Sequence, residues 1–347
     1  MKSHKTILIT GGAGFIGTNA AERFIQKGVK PIILDNLSRK GSEINLKYLE
    51  EKYSGKFEFL KADVRHDFDK LSEAVRRSSV VLHLAAQVAV TTSVANPRED
   101  FEINALGTFN LLEAARLARN RPFVIYSSTN KVYGEMKRAK TIEEEQRYRF
   151  LEYPHGISED QPLDFHSPYG CSKGAADQYV RDYQRLYGIP SVVFRQSCIY
   201  GQRQFGVEDQ GWVAWFIIAA ILDKPITIYG NGKQVRDLLY IDDLIDAYEL
   251  AIANQDKVAG QIYNMGGGPE NTLSLLEFLG KLKTILGSEP KYNFSAIRPG
   301  DQPIYVSDIR KFGEYLGFSP KVSVERGIAK LIGWINENRG VIEPIFD

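Results

Sequence analysis

Short apolar runs alternate along the chain with longer stretches in which apolar residues return every three to four positions. Runs rich in β-branched residues stand at 6–10, 31–35, 57–61, 80–84, 123–127 and 191–195. Between them, residues 15–27, 99–119 and 168–187 carry helical spacing. Alternation of this kind predicts parallel strands joined by crossover helices. Val80-Val81-Leu82 is apolar without a break, as a strand buried on both faces requires. The expected class is therefore α/β, a Rossmann-type doubly wound parallel sheet, and such sheets bind ligands beyond the carboxyl ends of their strands.

The pattern loosens after residue 190. Turn clusters stand at 201–211, 230–232, 266–269 and 299–300, and 242–252 and 273–286 read as helices. This divides the chain into a Rossmann domain over 1–190 and a smaller mixed substrate domain over 191–347, with some segments of the latter returning to the first sheet. The stretch 137–164 is charged, irregular and longer than most connections in compact domains; such loops are functional or disordered.

Composition narrows the classes. A chain of 347 residues buries a core without metal or disulfide staples. Lys and Arg number 44 against 43 Asp and Glu, so no basic excess points to nucleic acid. The longest apolar run, 212–222, is about half of what a membrane span needs, and no membrane partner is expected. Lys2 and Lys5 precede Ile7-Leu8-Ile9, but Gly11 and Gly12 break the run at once, which suits a first strand rather than an export signal. Cys171 and Cys198 are too few for a disulfide framework and fit a reducing cytoplasm. No metal is expected.

Candidate chemistry begins at Gly11-Gly12-Ala13-Gly14-Phe15-Ile16-Gly17, between the first strand and the first helix. Glycines there permit a tight turn and a close approach of a pyrophosphate to the helix N-terminus. Asp35 ends the next strand and is placed to accept the adenosine ribose hydroxyls. Its charge favours NAD over a phosphorylated ribose, although Arg39 and Lys40 lie close by. Asp63 ends the third strand and is a candidate acceptor for the adenine amino group, or a cap for the following segment.

Four Tyr-x-x-x-Lys pairs occur: Tyr48/Lys52, Tyr133/Lys137, Tyr169/Lys173 and Tyr229/Lys233. Only Tyr169 opens a long helical segment after the fifth strand. Positions four apart share a helix face. Lys173 is thus placed to hold the nicotinamide ribose, and its charge to favour the phenolate of Tyr169. A free phenol titrates near 10 and is a poor base at neutral pH, so this help matters. Ser127-Ser128-Thr129 ends the fifth strand, and Thr129 is the expected hydroxyl that orients the substrate. Tyr169 would then take a proton from a sugar hydroxyl as hydride leaves the same carbon.

Together these features resemble the extended short-chain dehydrogenase/reductase family of nucleotide-sugar epimerases and dehydratases. The resemblance spans nearly the whole chain and rests on GGAGFIG at 11–17, Asp35-Asn36, Asp63-Val64, His83-Leu84-Ala85-Ala86, Asn104 with Gly107-Thr108, and the Thr129/Tyr169/Lys173 set. Later pieces are Arg195 with Tyr200-Gly201, Arg236-Asp237, and Arg298-Pro299-Gly300-Asp301. It implies bound NAD held by Gly11, Gly14, Phe15, Ile16, Gly17, Asp35, Asn36, Ser38 and Arg39, then by Asp63, Val64, Leu84, Ala85, Ala86, Gln87, Asn104 and Ser127, together with Tyr169 and Lys173. On the substrate side it implies Arg236 and Arg298 as diphosphate clamps, with Asp301 beside them. Gln87, Thr129, Gln196, Arg203, Gln210, Trp212 and Gln234 are further contacts, and Trp212 suits either ring stacking or a core position.

Within the family, SSTNKVYG at 127–134, LDFHSPYGCSKGAADQY at 163–179, DQGWVAWF at 209–216 and GNGKQVRD at 230–237 resemble enzymes that invert carbon 2 of a CDP-linked sugar. The 40 positions from Thr129 to Tyr169 fit the same group. Relatives often carry asparagine where this chain has Cys198. Dehydratases of the family place an Asp-Glu pair directly after the threonine, where this chain has Asn130 and Lys131, which argues against elimination of water. A 4-epimerase remains compatible with the same residues. A dinucleotide sensor without catalysis is the reading from another class. Relatives often pair through the helix that bears the tyrosine and lysine, which implies a homodimer or homotetramer.

Overall fold

The first four strands are short: β1 (Ile7–Thr10), β2 (Ile32–Asp35) and β4 (Val80–His83) are wholly buried, and β3 (Glu58–Lys61), partly exposed, forms the edge. With β5 (Phe123–Thr129) and the strands Ser191–Gln196 and Ile262–Met265 they make one seven-stranded sheet. Its order is Ile262–Met265, Ser191–Gln196, β5, β4, β1, β2, β3. β1 pairs in parallel with both β2 and β4, so the order reverses between β1 and β4. Reversal there opens a crevice beyond the strand ends, the usual ligand position in this class of sheet. The computed structural model describes residues 6–298 and 302–346.

Helices α1 (Phe15–Gln26), α2 (Ser42–Tyr53) and α3 (Phe68–Arg76) cross between the first strands. The helix expected over 99–119 is present, running without interruption from Pro97 to Leu117 and carrying one π-helical turn. A short α4 (Val90–Ala95) precedes α5 (Pro97–Phe101), a π-helical turn over Glu102–Leu106, and α6 (Gly107–Leu117). Pro97 starts α5 because proline lacks the amide that a helix interior needs. The 21-residue α7 (Ser167–Tyr187) carries the tyrosine and lysine. Leu8, Val81 and Val124 of the sheet pack with Leu111 and Leu112 of α6 and Val180 of α7, all fully buried. Each such side chain contributes about 1.5–3 kcal/mol.

The chain forms two compact units, each discontinuous in sequence. The first comprises residues up to Thr129, Ser167–Arg195 and Ile245–Tyr263; the second comprises Asn130–His166, Gln196–Leu244 and residues from Asn264 onward. A single boundary near 190 divides the chain differently. Ser191–Gln196 and Ile262–Met265 extend the first sheet, so the sequence returns to it after leaving.

In the second unit, Val235–Tyr240 is central. It pairs antiparallel with Thr272–Ser274 and parallel with Ile304–Tyr305 and Cys198–Tyr200. The charged stretch 137–164 is ordered here as a small hairpin, Thr141–Glu143 against Tyr148–Phe150. Phe150 and Ile157 are its anchors, buried with Val132, Tyr133, Val235 and Tyr305. Among the described residues no helix is long and apolar enough to cross a membrane.

Candidate active site

The end of β5 and the first turns of α7 bring Thr129, Tyr169 and Lys173 together within the first unit. Their exposures are 6%, 8% and 4%, so the charged form of each titratable group is largely stripped of water. The Thr129 side chain is hydrogen-bonded to Tyr169. The Lys173 ammonium donates to the Ser127 carbonyl at 2.5 Å and sits 4.3 Å from the centre of the Tyr126 ring. The Tyr169 amide donates to Ser93 Oγ, which ties α7 to α4.

The electrostatics of this protein alone run against the expected phenolate. Burial pushes Tyr169 up to about 12, against a lowering by the Thr129 hydrogen bond and the Arg39 charge. Burial also pulls Lys173 down to about 7, against the opposing pull of Asp177 and Asp100. Desolvation outweighs the neighbouring charges at both groups.

Of the remaining Tyr-x-x-x-Lys pairs, Tyr48 and Lys52 also meet on a helix face. Both contact Glu22 Oε1, at 2.6 and 2.9 Å, which fastens α2 to α1. That pair belongs to the contact of α2 with α1, not to the end of β5.

The glycine loop fits a dinucleotide on three counts. Gly11 has φ 67° and a Cβ there would lie 2.7 Å from the Ala85 amide nitrogen, so only glycine lets the loop pass the end of β4. At Gly17 a Cβ would collide with the Gly11 carbonyl. Gly14 caps α1 without a side-chain hydrogen bond and no acidic residue occupies the first turn, which leaves the helix end open to an anion. Phe15 and Ile16 begin that turn.

Asp35 holds this loop in shape. Its Oδ2 accepts the Ala13 amide at 3.0 Å and its Oδ1 the Leu37 amide at 2.8 Å. Burial pushes its carboxyl up, and these bonds pull it back. Asn36 donates to Asp63 and accepts from the Ser38 amide. Burial would raise Asp63, but Arg65 and Asn36 outweigh it and hold the carboxyl at about 2. Ser38 and Arg39 are exposed, and Val64 is buried against Gly107. Leu84, Ala85 and Ala86 continue from β4, with the Leu84 and Ala85 amides bonded to the Thr10 carbonyl and hydroxyl. Gln87 folds its amide onto the backbone of Ala89, and its own amide donates to Asn104 Oδ1 at 2.9 Å. Asn104 also donates to Asp100 and Ser172, both at 3.1 Å.

His83, a family landmark in the sequence, proves to be a bolt. Its Nδ1 lies 2.7 Å from Thr10 Oγ1 and its Nε2 3.0 Å from Thr108 Oγ1. Thr108 donates to the Asn104 carbonyl, so it accepts from Nε2–H, and Nδ1 accepts from Thr10. Burial holds the ring neutral, with its pKa down at about 3.

The expected substrate residues lie in the second unit apart from Gln87 and Thr129. Arg298 stacks 3.7 Å above the centre of the Tyr229 ring and donates to Asp209 at 2.8 Å. Arg236 donates to the Val235 carbonyl. The neighbouring Asp237 is fully buried and accepts from the Ser197 hydroxyl and the Gly268 and Ser307 amides. Trp212 opens α8 (Trp212–Ile221), edge-on to Phe216 and Phe278, and its indole N–H points to Cys198 Sγ at 3.4 Å. It is therefore a half-buried member of an aromatic cluster. Gln234 donates to the Tyr229 carbonyl. Arg203 lies 5.7 Å from the Trp334 ring. Gln210 is tied through its backbone to Val207, and Gln196 is buried at the end of its strand. Asp301 lies outside the described residues.

Three groups of this site escaped the sequence: Asp100, Ser172, and Asp177, the buried partner of Arg195. Asp177 follows Lys173 by four positions, which was a usable signal for a shared helix face. Asp100 meets Ser172 across 72 positions, and nothing local announces it.

Comparison with known proteins agrees with this geometry. The family model described as GDP-mannose 4,6 dehydratase matches residues 8–331. A CDP-paratose 2-epimerase of Salmonella typhi is 47% identical over 335 residues, covering 94% of this chain and 98% of that protein. The UDP-glucuronic acid 4-epimerase of Bacillus cereus, solved with UDP-glucuronic acid and NAD, superposes with a TM-score of 0.82 at 29% identity, over 96% of this chain and 99% of that one. A dTDP-glucose 4,6-dehydratase of Streptomyces venezuelae, solved with NAD and TYD, gives 0.83 at 30% identity, over 98% and 99%. With a seven-stranded Rossmann-type sheet, a glycine loop at its switch point and a Thr129–Tyr169–Lys173 cluster, the chain belongs to the NAD-dependent epimerase/dehydratase family.

Proposed function

We propose that this protein is an NAD-dependent 2-epimerase that interconverts CDP-paratose and CDP-tyvelose. The carrying observation is the buried Thr129–Tyr169 hydrogen bond beside Lys173, read with the near full-length likeness to the Salmonella typhi enzyme. Asn130 and Lys131 follow Thr129, where a dehydratase of this family would carry its acid and base.

The glycine loop, the open N-terminus of α1 and Asp35 would hold NAD, with Lys173 on the nicotinamide ribose. NAD held there would supply the hydride acceptor, and later the hydride donor, for carbon 2 of the sugar. With the positive nicotinamide ring beside it offsetting burial, Tyr169 would be a phenolate; Thr129 would orient the carbon-2 hydroxyl, and Tyr169 would accept its proton as the carbon becomes a ketone. The ketone carbon is planar and open to hydride on either face, so a turn of the sugar in the site would present the opposite face and invert the centre. Tyr169 then returns the proton to the oxygen. Net redox is zero, and the cofactor need not leave. Arg236 and Arg298 would anchor the diphosphate, since a guanidinium fork suits its oxygens.

The protein works in this reading as a cytoplasmic homodimer or homotetramer. Phe109 and Tyr179 meet edge-on across α6 and α7, and with Leu186 and Tyr187 they leave an exposed apolar face suited to a second copy.

The test is proton NMR of the protein with CDP-paratose in heavy water without added NAD. A second sugar signal with no deuterium at carbon 2 is the expected result. Deuterium at carbon 2 overturns internal hydride return, and an unchanged spectrum overturns this substrate.

A further inference from the structure

The catalytic pair rests on a third buried charge. Asp100 ends on the short α5, is wholly buried, and has two neutral partners. Its Oδ2 accepts the Ser172 hydroxyl at 2.5 Å and its Oδ1 the Asn104 amide at 3.1 Å. Ser172 directly precedes Lys173, and its Oγ lies 3.2 Å from the Tyr169 carbonyl. Asn104 sits on the π-helical turn Glu102–Leu106 and also contacts Ser172 at 3.1 Å. π-helical turns are rare and concentrate at functional sites. This one begins two residues after Asp100 and presents Asn104 to close the network.

We propose that Asp100 is the counter-charge of the catalytic pair, a positioning residue that acts through Ser172 and Asn104 to keep Lys173 an ammonium while Tyr169 exchanges its proton. The inference rests on the assignment of Tyr169 and Lys173 above.

The charges around Lys173 support this division of labour. On α7 the carboxylate facing it is Asp177, which is gripped by Arg195 from the strand Ser191–Gln196. From β5 it meets the Tyr126 ring, and from β4 the neutral His83. α4 carries no titratable group. Beside Asp100, Arg98 pairs with Glu102 at 3.0 Å and Glu99 is exposed. On α6, Glu113 pairs with Arg116 and Tyr183 at the far end of α7. Arg39 acts on Tyr169. Asp100 differs from Asp177 in having no guanidinium partner; both carboxylates favour the Lys173 ammonium, Asp177 the more, while Asp100 also holds the Tyr169 proton on until the pair is called to exchange it. Burial pushes its own carboxyl up, while Ser172 and Lys173 pull it back.

The test reads Lys173 directly, without substrate. In protein labelled with 13C-lysine, the Lys173 signal is assigned by its loss in Lys173→Arg, and its titration midpoint is followed by NMR. Asp100→Asn is expected to lower the midpoint by about one pH unit, the scale of one charge at short range in a partly polar interior. Asp100→Glu is expected to restore it. The pH–rate profile should move the same way, with both limbs shifted toward acid in Asp100→Asn. A purely structural role predicts a lower melting temperature with an unmoved midpoint, and that result overturns the proposal. If Asp100→Asn does not fold, the wild-type protein answers through the Asp100 carboxyl carbon, assigned by backbone correlation. A carboxylate at pH 7 is expected, and a protonated carboxyl overturns the proposal. These readings separate the inference from the assigned substrate, because neither NMR titration requires turnover.

Discussion

The Arg195 guanidinium grips both carboxylate oxygens of Asp177 at 3.0 Å, with neither side chain more than 3% exposed. Ser128 adds its hydroxyl to Asp177 Oδ2 at 2.7 Å. Removing one member strips the other, still buried, of its counter-charge. Asp177→Asn is therefore expected to destabilise the protein by about 3–5 kcal/mol. Replacing both by apolar side chains of similar volume is expected to recover most of that loss. Urea unfolding of the two single variants and the double variant measures it; additive losses in the double variant would contradict the pairing.

Tyr169→Phe removes the proton acceptor and leaves the ring in its pocket. Turnover is expected to fall by about a thousandfold, while the protein keeps its fold and still purifies with NAD. Thr129→Val removes the hydroxyl that lowers Tyr169 and should cost about a hundredfold, whereas Thr129→Ser should keep most activity. Single-turnover rates with the NMR assay separate these outcomes. Full activity of the phenylalanine variant would require a different base.

His83 makes folding sensitive to acid. Unfolded histidine titrates near 6.5, and buried His83 is held down at about 3. The unfolded chain thus takes the proton first, so stability is present above about 6.5 and is lost as pH falls toward 3. The loss amounts to about 4 kcal/mol across that window. His83→Gln should cost about 1–3 kcal/mol at pH 7 through lost hydrogen bonds, and should flatten the slope of stability against pH below 6.5. Unfolding free energies of both proteins between pH 4 and 7 decide it; equal slopes would rule out a buried neutral ring.

Arg298 combines a ring stack with an ion pair, and lysine reproduces neither geometry. Arg298→Lys is expected to raise KM for the nucleotide sugar about tenfold with little change in kcat, as loss of an anchor remote from the reacting carbon should. A fall in kcat at constant KM would move Arg298 into the chemistry. Asp209→Asn, which removes its partner at 2.8 Å, should leave the stack on Tyr229 intact and change KM less.

Much of the first sheet was legible because its strands are buried on both faces. Ile7-Leu8-Ile9 and Val80-Val81-Leu82 then become unbroken apolar runs. The glycine loop was legible because Gly11 and Gly17 answer local steric demands, one set by a positive φ and one by a carbonyl in the next turn. Tyr169 and Lys173 share a helix face, so spacing alone placed them together once the right pair was chosen.

The π-helical turn inside the helix read over 99–119 was not legible. The composition suits one helix throughout, and the turn shows only in the fold, where Asn104 meets Asp100 and Ser172. The stretch 137–164 looked irregular because most of it is polar, yet Phe150 and Ile157, with Tyr148, Tyr153 and Leu163 packed beside them, anchor it in a core that also takes Val235, Tyr305 and Val306 from far along the chain.

The sequence by itself determined the alternation of strands and helices, the phosphate-accepting loop and the Tyr169/Lys173 register, since each follows from periodicity or from backbone sterics within a few residues. Only the tertiary structure decided the two discontinuous units and the neutral state of His83. It also decided the charges facing Lys173, because burial and electrostatic partnership arise between residues far apart along the chain, and no local pattern encodes how much water a folded site excludes.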